Sequence, residues 1–327
     1  MMKDQSDIPS LDKRIPGVPA IEPLIFPKLA ALYARRSARL EALASRLVTD
    51  AAEDESSSAP AGEEQAGYFS FLAGLVAAQR RLLEESPLSL AQAEPVRVLL
   101  QGTKASPEVP SRQMLAEAVY WQDAFARLVA EAGVHLPPET RAGLDALVSD
   151  TSGALAEQAF LLLSGQYDRV DAGAAVFLWS ALSVYWAQAI ALLARETGEL
   201  LHNRRSEGGA CPCCGAPPSG ALVLTGDREG LRYLQCSLCE TRWHKVRATC
   251  SVCDATDHID YWSFESTDAP IQGETCGDCH SYVKLFRLDR DPELEVSADD
   301  LASVALDSAL EDQGFIRATL NPFSFPA

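Results

Sequence analysis

The stretch CSLCETRWHKVRATCSVCDATD, residues 236–257, places four cysteines in two CxxC pairs around a basic, aromatic segment. A CxxC on a tight turn points both sulfurs at one place, so each pair is half of the four-thiolate shell that zinc or iron prefers. Two further pairs supply the other halves: Cys211 and Cys214 in CPCCG upstream, and Cys276 and Cys279 in CGDCH downstream. Paired in chain order, Cys211, Cys214, Cys236 and Cys239 form a first site, and Cys250, Cys253, Cys276 and Cys279 a second. Cys211 to Cys250 is an offset of 39 residues and Cys239 to Cys279 one of 40, the mark of an internally duplicated module. The ninth cysteine, Cys213, occupies an x position of the first knuckle, as a bystander or as a substitute for Cys214.

Between the knuckles the chain reads as strands. ALVLT and LRYLQ flank the turn residues GDREG, YWSFE follows Cys253 and SYVKLF follows Cys279. Knuckle, hairpin, knuckle is the order of a zinc ribbon or rubredoxin-like module, and about 40 residues bury too little core to hold together without a metal. A disulfide framework would need an oxidising compartment, and the polar start MMKDQSDIPSLDKRIPGVPA has no apolar signal region. A thioredoxin-like site would use one CxxC at a helix start rather than four in turns between strands. His244 and His280 each follow the second knuckle of a module and read as neighbours of shells that already have four thiolates.

The 327 residues carry a net charge of −18, and residues 211–290 hold 8 Lys and Arg against 11 Asp and Glu, which opposes nucleic-acid or anionic-lipid binding. The N-terminal two-thirds reads as a helical bundle, with Leu29, Leu32, Tyr33, Leu40, Leu43 and Leu47 at helical spacing and Arg35 and Arg36 on a solvated face. Three further helical stretches start at Gly67, Arg112 and Gly153, separated by prolines that include Pro87, Pro95 and Pro110. Residues 172–194 carry no charge and are long enough to span a bilayer, but Ser180, Ser183, Tyr185, Trp186 and Gln188 in the middle favour a buried central helix. No P-loop, dinucleotide fingerprint, nucleophile elbow or deaminase signature is present, so nothing proposes an enzyme.

The expected architecture is multi-domain α plus small β. It has an N-terminus over 1–20 without fixed structure and an α-helical domain over 21–205, with a mobile acidic linker at about 49–65. Four-cysteine ribbons follow over 206–247 and 248–290, then an acidic C-terminal helix and tail over 291–327. Nine Asp and Glu against one Arg over 289–313 accompany the stripe Leu301, Val304, Ala305, Leu306 and Leu310, read either as a helix packed back on the body or as a docking surface. Trp243, Tyr261, Trp262 and Tyr282 are candidates to shield the sulfurs.

CPCCG, LQCSLCETRWHKVRATCSVC, ETCGDCHSYVKLF and SADDLASVALDSALEDQGFIRATLNPF together resemble the formate dehydrogenase accessory protein FdhE family, as do PLIFPKLAALYARRSARLEALA and GYFSFLAGLVAAQ more weakly. Cys213 departs from that pattern, which leaves open which two of Cys211, Cys213 and Cys214 bind. The resemblance implies a cytoplasmic accessory factor needed for active respiratory formate dehydrogenase. It would bind the catalytic subunit before export by the twin-arginine route and hold two metal ions, rubredoxin-type iron or zinc. A rubredoxin-like electron-transfer protein and a thiol oxidoreductase acting on the same client are the alternatives, and charge disfavours a nucleic-acid adaptor.

Overall fold

The computed structural model describes residues 21–53, 59–102, 105–197, 199–202, 204–264 and 266–326. The expectation of an unstructured 1–20 lies outside them. Helix α1 (Leu29–Glu53) packs against α2 (Ala59–Glu85), followed by α3 (Leu90–Gln101), α4 (Arg112–Glu117), α5 (Val119–Ala132), α6 (Pro138–Val148), α7 (Ala154–Leu163), α8 (Ala172–Glu196) and the short α9 (Glu199–His202). The uncharged stretch is the hub: α2, α3, α5, α6 and α7 all touch α8. Asp171 caps it by accepting the amide of Ala174 at 2.9 Å. Its Phe177, Trp179, Leu182, Trp186 and Ile190 are almost fully buried, which stabilises by about 1.5–3 kcal/mol for each large apolar chain removed from water. Polar groups on α8 find partners inside the bundle: Gln188 Nε2 donates to Tyr120 Oη at 2.6 Å, and Tyr185 Oη donates to the carbonyl of Gln92 at 3.0 Å. The helix is long and apolar enough to cross a membrane, yet 83% of its most apolar window is buried within the protein.

Three expectations for this half need correction. The acidic linker over 49–65 is helical at both ends, because α1 continues to Glu53 and α2 begins at Ala59; only residues 54–58 lie outside the described residues. Pro95 separates nothing, since it lies inside α3, where a capping box between Ser89 and Gln92 fixes the start and the proline removes a single amide donor. The stretch from Arg112 breaks at Ala118, whose ψ of 78° leaves the helical region between α4 and α5.

Among the described residues eight strands form one sheet: β1 (Leu24–Ile25), β2 (Pro218–Val223), β3 (Arg232–Cys236), β4 (Arg242–His244), β5 (Ile259–Trp262), β6 (Ile271–Cys276), β7 (Ser281–Arg287) and β8 (Ile316–Arg317). The order is β1-β4-β3-β2-β7-β6-β5, with β8 also on β7. Read as two blocks, β4-β3-β2 and β7-β6-β5 are the same antiparallel hairpin-plus-strand laid down twice, as the duplicated spacing implies. A parallel seam, with Ala221 opposite Leu285 and Val223 opposite Arg287, joins them into one surface. The segment ahead of α1 contributes β1, which pairs Leu24 with Trp243 at the far edge.

The C-terminal acidic segment turns inward. It forms α10 (Val296–Ala302) and α11 (Val304–Asp312), and Glu295, Asp299, Asp300 and Asp307 are buried rather than displayed. Asp300 and Asp307 are both bonded to the fully buried Lys284 and to Arg317, while Arg39 forks onto Asp299 at 2.6–3.1 Å. Packing back on the body is therefore the outcome, and the acidic docking surface is not formed by these four carboxylates.

Candidate metal centres

All four knuckles share one local construction. The residue after the second cysteine adopts the left-handed conformation every time: Gly215 (φ 79°), Glu240 (φ 59°), Asp254 (φ 62°) and His280 (φ 53°). That reversal lets backbone amides turn toward the first sulfur. Cys213 N donates to Cys211 Sγ at 3.4 Å, Leu238 N and Cys239 N to Cys236 Sγ at 3.3 Å, and Val252 N to Cys250 Sγ at 3.3 Å. Only at Gly215 does a second constraint demand glycine, because a Cβ there would run into the carbonyl oxygen of Pro107.

The turns bring the cysteines together as two groups of four, Cys211, Cys214, Cys236 and Cys239, and Cys250, Cys253, Cys276 and Cys279, with all sulfurs of each group within 4.8 Å of one another. First meets fourth and second meets third in both: Cys211–Cys239 at 3.6 Å and Cys214–Cys236 at 3.3 Å, then Cys250–Cys279 at 3.6 Å and Cys253–Cys276 at 3.8 Å. Four thiolates about 2.3 Å from a central ion define a tetrahedron with edges of about 3.8 Å, so both groups fit a four-sulfur metal shell. Cys213 is buried but outside the first group. His244 and His280 are outside both groups; the His244 ring lies edge-on to Tyr233, and His280 holds the left-handed turn position.

The two groups differ in exposure and electrostatics. All four sulfur-bearing residues of the first are buried, whereas Cys253 is exposed and Cys279 half-exposed in the second. Burial pushes the Cys211, Cys214 and Cys236 thiols up. Burial opposes ionisation of Cys239 as well, but hydrogen bonding with the other three cysteines and with Thr241 holds it well below the usual thiol range. Cys279 is likewise held at about 7, against desolvation, by Ser281 and by Cys253 and Cys250. A metal ion binding either group would displace thiol protons, because the ligands of such a shell are thiolates.

Comparison with known proteins bears on what this arrangement belongs to. Family profiles described as "FdhE, N-terminal", "FdhE, central domain" and "FdhE, C-terminal domain" match residues 60–201, 210–247 and 248–324. The protein FdhE homolog of Proteus mirabilis is 36% identical over 307 residues, covering 94% of this chain and 92% of its own length. That of Cronobacter sakazakii is 36% identical over 322 residues, 98% of this chain and 96% of its own. The crystal structure of the FdhE protein from Pseudomonas aeruginosa superposes with a TM-score of 0.73 at 32% identity, covering 93% of this chain and 98% of that one. The chain belongs to the FdhE family. Membership supports the role of a formate dehydrogenase accessory protein.

Beyond the cysteines, the structure of this FdhE-family chain shows residues that sequence reasoning passed over. Arg36, expected on a solvated face, is 1% exposed and forks onto Glu240, the residue after Cys239, at 2.7 and 3.0 Å, while its Nε donates to Glu295 at 3.0 Å. Burial opposes its charge, but the two carboxylates outweigh that and hold the guanidinium protonated. Arg232 of β3 is bonded to Glu274 of β6 and donates to Ser251 at 2.6 Å, tying the first ribbon to the second. Trp179 of α8 donates its indole N–H to the carbonyl of Ser237, inside the second knuckle, at 2.8 Å. Of the four aromatics expected to shield sulfurs, Trp243 and Tyr282 are buried, whereas Tyr261 and Trp262 are each 45% exposed because β5 is the last strand of the sheet.

Proposed function

We propose that this protein binds the catalytic subunit of formate dehydrogenase in the cytoplasm, before that subunit is exported, and that its eight paired cysteines hold two metal ions, iron or zinc. The observation that carries the reading is the extent of the FdhE-family similarity, whose central and C-terminal matches each enclose one complete four-cysteine group. Cys211, Cys214, Cys236 and Cys239 would hold one ion, and Cys250, Cys253, Cys276 and Cys279 the other. A closed shell of four thiolates supplies folding energy and, with iron, a one-electron couple. The net charge of −18 argues against a nucleic-acid adaptor, and the protein acts by binding rather than by catalysis.

Exposure of Cys253 and the lowered Cys279 favour a second reading, in which the second ribbon is a rubredoxin-like electron carrier or a thiol oxidoreductase acting on the same client. One comparison separates them. The protein is prepared anaerobically in iron and in zinc forms, and each is tested for capture of the catalytic subunit and for restoring formate dehydrogenase activity to cells that lack it. Equal performance supports structural metals. A zinc form that captures the client but restores no activity supports redox work, and absence of capture by either form removes the accessory reading.

A further inference from the structure

We infer that the free edge of β5, flanked by Tyr261, Trp262 and Phe264, is the docking site for an extended, basic segment of the client, which adds to the sheet as its next strand. The inference rests on the accessory reading above and locates the surface it needs. Among the described residues β5 pairs only with β6, so the backbone groups along the other side of Ile259–Trp262 face outward. An uncovered strand edge is a template for another strand, and natural proteins usually blunt it with lysine, proline or a covering element. Among the described residues β5 carries no lysine or proline; its four-residue length and the exposed Asp260 are what limit indiscriminate pairing, and that acidic group admits a basic strand. Successive strand residues point to opposite faces, so Tyr261 flanks the edge on one side and Trp262 on the other, each 45% exposed, and Phe264 just beyond is 69% exposed. Exposed tyrosine and tryptophan side by side are the residues that dominate binding energy at protein interfaces.

Charge selects the occupant. From Ala248 to Val283 the chain has seven Asp and Glu and no Lys or Arg; Asp254, Asp268 and Glu274 are paired with Lys245, Arg290 and Arg232, while Asp257 and Asp260 are exposed beside the strand and leave the edge negative. A four-thiolate site around a divalent ion would add further negative charge. A basic segment with apolar positions at alternate residues matches this edge: main-chain bonds give affinity, and the aromatic and acidic side chains select sequence.

The test uses the full-length metal-loaded protein and purified formate dehydrogenase catalytic subunit in a binding titration at several salt concentrations. Trp262→Ser and Phe264→Ser are the main variants, with metal content and circular dichroism checked; both side chains are exposed, so folding should survive. Asp257→Lys combined with Asp260→Lys tests the charge term. The expected result is at least tenfold weaker capture by Trp262→Ser and by the charge-reversed variant, with a flatter salt dependence in the latter. Wild-type capture that none of these variants changes would overturn the docking face and leave the accessory reading standing. No capture by the wild type would overturn both. Loss of self-association with client capture intact would assign the edge to a second copy of this chain and also overturn the inference.

Discussion

In the first ribbon the four cysteines are enclosed by α8, α1 and the sheet, whereas in the second Cys253 faces solvent and Cys279 is half-exposed. The local construction is the same in both, down to which cysteine faces which and the left-handed residue closing each knuckle. The difference therefore comes from what each ribbon touches. Site 1 belongs to the main hydrophobic core and is tied to the bundle through Trp179–Ser237 and Arg36–Glu240. Site 2 is attached mainly through the sheet seam and the buried Arg232–Glu274 pair. One module can thus serve as a keystone or as an outward-facing extension, depending on its neighbours.

That contrast can be broken most severely at a cysteine. Closed four-thiolate sites contribute about 10–16 kcal/mol of apparent folding free energy in isolated metal-binding peptides. Cys239→Ala should therefore prevent the whole chain from folding stably, while Cys253→Ala should lose one of two metal ions and keep the bundle's circular dichroism. Metal analysis with far-ultraviolet melting checks both, and equal damage from the two variants would erase the distinction. Next in size is Arg36→Ala, which strands Glu240 and Glu295 without their shared cation. Breaking one side of a buried pair costs about 3–5 kcal/mol, read as a lower urea midpoint. Arg232→Ala should cost on the order of 3 kcal/mol by the same mechanism. Its effect should appear as faster hydrogen exchange in β5 and β6 with α8 still protected.

Chelation sharpens the comparison without mutation. Excess chelator should remove metal in two phases, the fast one from the second site, and Cys253→Ala should abolish the fast phase alone. The smallest expected effect is at His280, whose φ of 53° is strained for a side chain. His280→Gly should retain both ions and change stability by about 1 kcal/mol or less, toward greater stability. A lost ion in that variant would make the histidine a ligand.

The grouping of the eight cysteines in two fours was legible because a CxxC turn is a local device: its spacing alone aims two sulfurs, and the doubled offset pairs the halves. The left-handed residue after each knuckle left no sequence signal, since only Gly215 among the four is glycine. Helix α8 was legible from its missing charges, while α3 was hidden by Pro95, which lies inside the helix and costs it one amide donor. Long-range pairing was not legible. Helical spacing does set Arg36 apart from the exposed Arg35, since it falls three residues after Tyr33 and four before Leu40 on the buried stripe, but the carboxylates that pair with it lie 204 and 259 positions away and carry no local signal. Exposure of Tyr261 and Trp262 likewise depends on strand order, which composition does not encode.

The same separation governs how the chain is made. Arg36 leaves the ribosome early, and Glu295 follows 259 residues later, roughly 13–50 s at a synthesis rate of about 5–20 residues per second. Throughout that interval a guanidinium destined for the interior lacks one of its two carboxylates, and β1 lacks β4 for most of it. Helix α1 can pack on α2 early, but its seating against Glu295 waits for that residue. The segment around Glu295 acts as a latch on α1, so a chain truncated before Glu295 should present α1 to cellular proteases more readily than one that includes it.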